Sequence, residues 1–111
     1  MNTWIHSLQN YKSIRLSNPA EKDLQLIADY TQRVWGVTQK KKYLALINKS
    51  FQQLNQMGNV GRKRDDIVKD LYCYPVQKHI VFYRESEIEF IVIRILHSQM
   101  DTGKHLKNLK V

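Results

Sequence analysis

Arg84, Arg94 and His97 are the residues of this chain best equipped for chemistry, with Asp101 and His105 close behind them. A guanidinium presents paired donors to planar anions, so either arginine could clamp a phosphate or a carboxylate. Both also stand at strand ends near Glu85, Glu87 and Glu89, where solvation or a surface ion pair is the alternative. His97 follows a strand-like run and could act as an acid or base near neutral pH, or simply cap that strand by hydrogen bonds to a turn. No nucleophile or second base is evident beside it. Asp101 and His105 are four apart and would share a face of a helix, but His97, Asp101 and His105 match no established metal-ligand spacing, and no metal is expected.

Other clusters have plainer readings. Arg62-Lys63-Arg64 is followed at once by Asp65-Asp66, which cancels much of its field, so a solvated loop competes with an anion-contact loop. Lys40–Lys42 opens a helix, where cations oppose the dipole slightly and hint at an acidic partner. Gly58 and Gly61 form no Gly-x-Gly pattern leading into a helix, so no phosphate cradle is expected. Cys73 reads as a small buried hydrophobe.

The elements that must hold these residues follow from periodicity. Tyr11–Ser17 alternates weakly and reads as a first strand. Asn18 can cap a helix, Pro19 suits its first position, and Glu21 and Asp23 complement the positive end of its dipole. Leu24, Ile27, Ala28, Val34 and Trp35 recur at helical spacing, and Gly36 offers a stop. Thr38 can cap a second helix that ends at Gly58. The short joint forces an antiparallel hairpin. Leu44, Ile47, Phe51 and Leu54 make a core face of the second helix. Tyr43, Leu46 and Met57 make another, turned by about a third of the circumference. In the first helix Leu26 and Tyr30 lie likewise beside the main stripe.

After Gly58 the period switches to two, with strands over Leu71–Pro75, His79–Arg84 and Glu89–Leu96. The expected order is β-α-α-β-β-β: an α+β fold with an antiparallel sheet packed against an α-helical hairpin. Alternation puts Val81 and Tyr83, with Ile91, Ile93 and Ile95, under the helices. It leaves Ile80, Phe82, Arg84, Phe90, Val92 and Arg94 on an opposite face that needs a lid, and an exposed apolar area of that size marks a partner site.

The totals bound the function. At 111 residues the chain is one domain with a small core. Its 18 Lys and Arg against 10 Asp and Glu give +8, favouring acidic or polyanionic partners, and Lys40, Lys41, Lys42 and Lys49 carry half of that excess. One cysteine rules out an internal disulfide framework and suits a reducing compartment. No apolar run approaches a membrane span, and no secretory leader pattern opens the chain, so a cytoplasmic location is expected.

The ordered set His79–Arg84, Arg94–His97, Met100-Asp101 and His105-Leu106 resembles the C-terminal signature of the ParE branch of the RelE/ParE toxin superfamily. Pro19–Leu24, Trp35-Gly36-Val37 and Gly61–Arg64 extend the likeness upstream, so that it covers residues 11–106, between an extension at 1–10 and a basic tail at 107–111. The resemblance implies the toxin of a type II toxin–antitoxin system, needing no cofactor and neutralised by a cognate antitoxin, ParD-like or other, in a hetero-oligomer. ParE-like toxins poison DNA gyrase, whereas the RelE branch cuts messenger RNA on the ribosome. A tyrosine often used by RelE-type nucleases is absent after Tyr83. Where ParE-like chains often carry a glycine, an aromatic residue or leucine, and then an arginine, this chain has Asp70, Leu71 and Tyr72. Loss of that basic sheet residue argues further against cleavage.

The implied mechanism is binding to gyrase, possibly with DNA, with Arg62, Arg64, Arg94, His97, Met100 and Asp101 at the target surface. The antitoxin would cover Leu26, Tyr30 and Leu46 and the open sheet face of Phe82, Arg84, Phe90 and Val92. The rival is a ribosome-dependent endoribonuclease using Arg94 and His97. A degenerate toxin that only titrates antitoxin is the third possibility.

Overall fold

A computed structural model describes residues 12–58, 60–100 and 102–106. The extension at 1–10, the tail at 107–111 and Asp101 lie outside the described residues. The elements are β1 (Ser13–Leu16), α1 (Asn18–Trp35), α2 (Val37–Met57), β2 (Arg62–Lys63), β3 (Tyr72–Val76), β4 (His79–Glu85), β5 (Glu89–His97) and α3 (Thr102–Leu106). The α+β class and the helical hairpin are as expected, and β2 and α3 are additions.

The strand order is β1-β5-β4-β3-β2, with β2 through β5 antiparallel to their chain neighbours. β1 pairs with β5 in parallel, so the sheet is mixed rather than wholly antiparallel. The reason is β2: this two-residue strand adds one reversal after the hairpin and brings β5 back into the sense of β1.

The helix ends also differ in detail. Ser17 caps α1, its Oγ accepting from the Ala20 N–H at 3.1 Å while donating to the Ile93 carbonyl at 2.7 Å. The one hydroxyl satisfies both a helix start and the edge of β5, which Asn18 cannot do from one position further on. Gly36, at φ +92°, is the whole joint between α1 and α2. Its carbonyl receives the Lys40 N–H at 3.1 Å, so α2 starts at Val37 with no side-chain cap and Thr38 lies inside it.

The largest departure is in the sheet faces. The pairs Phe82↔Arg94 and Tyr83↔Val92 skip Ile93, a bulge that reverses the phase of β5 halfway along. Phe90 and Val92 therefore join Val81, Tyr83 and Ile95 beneath the helices, against Ile27, Ile47, Phe51 and Leu54. Ile91 and Ile93 turn to the other side, where Leu71, Cys73, Phe82 and Leu96 form a second core. That side has its own lid, made by Leu106 of α3 and by Ile67 and Val68 of the loop after β2. The expected open face is thus closed by the chain itself. Phe82, Phe90 and Val92 are fully buried and offer nothing to a partner, and Arg84 is half-buried.

Candidate partner-binding groove

Asp23 sits on the buried stripe of α1 with Ala20, Ile27 and Thr31. A carboxylate on such a stripe demands partners, because burying a charge without them is costly. β5 supplies them. Arg94 donates to Asp23 from Nε at 2.7 Å and from Nη2 at 2.9 Å, and the Ile95 N–H donates to the same carboxylate at 3.0 Å. β1 stops opposite Val92, so among the described residues the β5 edge beyond it has no strand neighbour, and Ser17 and Asp23 take its place. The arginine expected at a target surface is instead the tie between helix and sheet. Its pKa is raised, chiefly by the hydrogen bonds to Asp23.

Beside this tie an open groove of about 990 Å³ runs between the hairpin and the end of the sheet. Leu26, Tyr30 and Trp35 of α1 form one wall, 59%, 55% and 67% exposed. Tyr43 and Leu46 of α2 form the other, and Met100 stands at the end. The off-stripe residues Leu26, Tyr30 and Leu46, expected to face a partner, all lie here, together with His97 and Met100 from the expected target surface. Arg62 and Arg64 do not. They belong to β2 and its exit at the opposite edge of the sheet, where Arg64 holds Asp66 through two 2.9 Å bonds.

The floor carries a polar cluster that the sequence reading missed. His79 and His97 face each other across β4 and β5, ring centroids 5.3 Å apart. Tyr43 reaches down from α2, its hydroxyl 2.6 Å from His79 Nδ1, while the Lys78 backbone N–H faces the same hydroxyl. Whether the hydroxyl or Nδ1 donates follows the His79 tautomer. Alternation could not have paired the histidines: counted back from the turn at 86–88 His79 would face Leu96, and the bulge shifts β5 by the one residue that brings His97 opposite it. Among the described residues no group of three or more His, Cys, Asp or Glu converges as metal ligands would.

Burial, then the charge of His97, pushes the His79 pKa down to about 4 from 6.5. Between those values the unfolded chain takes up a proton that the folded one refuses, so stability falls as the pH drops from about 6.5 to 4. With allowance for solvent screening, His79 should account for a loss on the order of 1 kcal/mol over that window. Urea titrations at both ends should show it, and His79→Gln should flatten the difference. An unchanged pH slope in that variant would contradict the assignment.

Together these elements make a one-domain α+β scaffold with an apolar groove that Lys42 and Lys78 flank. Residues 14–102 match the family described as "ParE toxin of type II toxin-antitoxin system, parDE". The curated Toxin ParE1 of Caulobacter vibrioides is 28% identical over 95 residues, covering 86% of this chain and 98% of the relative. Toxin ParE1 of Mycobacterium tuberculosis (strain ATCC 25618 / H37Rv) is 32% identical over 92 residues, covering 82% and 94%. Among solved structures, a chain of the "Chromosomal ParDE TA system from P. aeruginosa" superposes with a TM-score of 0.68 at 21% identity, over 79% of this chain and 97% of that one. This last likeness concerns the fold. The chain belongs to the ParE toxin family of type II toxin–antitoxin systems.

Proposed function

We propose that this chain arrests growth by binding DNA gyrase, possibly with DNA, and that a cognate antitoxin neutralises it by laying a segment in the groove. The carrying observation is that Leu26, Tyr30, Trp35 and Leu46 stand exposed around one cleft while both faces of the sheet are filled from within. An apolar surface of this kind in a small chain calls for a partner. A solved chain of similar fold comes from the chromosomal ParDE TA system of P. aeruginosa. His97 and Met100 line the same cleft, so the occupant would cover part of the target surface as it binds. Arg62 remains an exposed contact for the target at the far sheet edge.

Binding fits better than bond-breaking. A nuclease would need Arg94 free to hold phosphate, and its guanidinium is already spent on Asp23. No described helix is long and apolar enough to cross a membrane. Gyrase as the target would place the action of the chain in the cytoplasm.

The purified chain should trap linear DNA in a gyrase cleavage assay at modest excess. No effect from a folded chain that still arrests growth would remove gyrase as the target, and messenger RNA cleavage on translating ribosomes would then replace it. For the antitoxin, Leu46→Asp should leave growth arrest intact and weaken neutralisation at least about tenfold, since it puts a charge where apolar area is to be buried. Full neutralisation of that variant would move the antitoxin off the groove.

A further inference from the structure

The floor of the groove offers proton donors and little that accepts. His97 Nδ1 accepts the Gln99 backbone N–H at 3.1 Å, so in the neutral ring Nε2 carries the proton. His79 Nδ1 is engaged by the Tyr43 hydroxyl. The carboxylate of the lining, Asp23, is already shared among Arg94 Nε, Arg94 Nη2 and Ile95 N. Lys42 of α2 and Lys78 of the β3–β4 turn are the lining residues left with uncompensated formal charge, and both are cations.

An apolar cleft with this polarity is complementary to a particular occupant. We propose that the antitoxin segment carries an acidic side chain on its apolar face, whose carboxylate accepts the His97 Nε2–H while Lys42 and Lys78 flank it. This rests on the reading of the groove as the antitoxin site and specifies what that site recognises. Apolar contact with Leu26, Tyr30 and Leu46 would supply affinity. The carboxylate would set register, because sliding the segment along the groove strands it against those side chains. A charge-assisted hydrogen bond at a half-buried histidine suits that task, being stronger than a neutral one and costly to leave unmade.

Matched small probes test the chemistry on the full chain. Phenylbutyrate and phenylbutyramide share an apolar body and differ in charge, and each is titrated against the labelled protein by NMR. The acid should shift resonances of Tyr43, Leu46 and Met100 with roughly fivefold higher affinity than the amide, the scale of one charge-assisted bond at a partly exposed site. His97→Leu should erase that preference, the acid losing several times more affinity than the amide, whose carbonyl makes only a neutral bond to the same N–H. Lys42→Gln/Lys78→Gln, at two exposed positions that carry no packing, should lower it about twofold.

Equal affinity of acid and amide, or shifts confined to residues outside the cleft, would overturn the inference. Binding of neither probe would overturn it too. The docking reading fails separately, through full neutralisation of the Leu46→Asp variant. If that variant escapes neutralisation while acid and amide bind alike, the groove is the antitoxin site and the recognised group is not a carboxylate.

Discussion

Asp23→Ala should destabilise the chain by about 3–5 kcal/mol, the range for removing one partner of a buried ion pair. Three donors lose their acceptor at once. The Arg94 side chain, 19% exposed, keeps its charge without a counterion, and the Ile95 N–H sits on an edge that no described strand covers. Water can reach the guanidinium in part, which places the expected value at the lower end. Replacing both partners is the sharper experiment. Asp23→Ala/Arg94→Leu should recover about half of the loss, because the stranded charge is gone and only the edge N–H stays unmade. Urea unfolding of the two single variants and the double closes the cycle. A cost below about 1 kcal/mol for Asp23→Ala would mean that the tie is ornamental and that Arg94 is available for a target.

This tie also shows where sequence reading succeeds and where it stops. The acid at 23 lies in phase with Ala20, Ile27 and Thr31, so its position on a buried stripe was legible. Assigning it to the helix dipole overlooked that phase. The identity of its partner depended on the β5 bulge, and a bulge of one residue leaves no mark in an apolar run such as Phe90–Leu96. Uninterrupted alternation therefore put Phe90 and Val92 on the wrong face and suggested an open sheet. The lid was invisible for a similar reason: β2 has two residues and α3 five, too short for periodicity to register.

The groove was more legible. Leu26, Tyr30 and Leu46 stood out because a helix needs one apolar stripe to pack and these residues exceed it. Side chains in excess of the core requirement are what a structure leaves exposed, and all three line the cleft. The departure at Asp70 resolves as well. That residue has φ +62°, the left-handed region a glycine would enter freely, and its N–H donates to Asp65 Oδ1 at 2.8 Å. Aspartate tolerates this conformation better than most residues. The loop after β2 thus keeps its path without the glycine expected there, and still delivers Ile67 and Val68 to the second core.

Gly61→Ala should cost about 2–3 kcal/mol, the scale of overpacking at a site that cannot yield. A Cβ at position 61 would be driven against the Tyr83 hydroxyl, 2.8 Å from its Cζ and 3.1 Å from the Cys73 carbonyl. Tyr83 has nowhere to go. It is 3% exposed and stacked between Phe90, at 4.7 Å, and Tyr72, at 5.8 Å. Burial pushes its pKa up to about 12, and the Gly61 backbone N–H faces its oxygen. Gly58 provides the control: open space surrounds it, but φ +62° with ψ −174° is a region that glycine alone enters freely, so Gly58→Ala should cost about 1–3 kcal/mol of backbone strain, the same with or without the Tyr83 hydroxyl. Tyr83→Phe removes the atom in the way and should itself cost about 1 kcal/mol for the lost hydrogen bond. In that background Gly61→Ala should fall to about half its wild-type cost, since Cζ still crowds the new methyl. Thermal or urea unfolding of the parent and the four variants decides it. A Gly61→Ala variant within about 0.5 kcal/mol of the parent would mean that the segment leaving α2 shifts freely over Tyr83, and that β2 is not held in place by this contact.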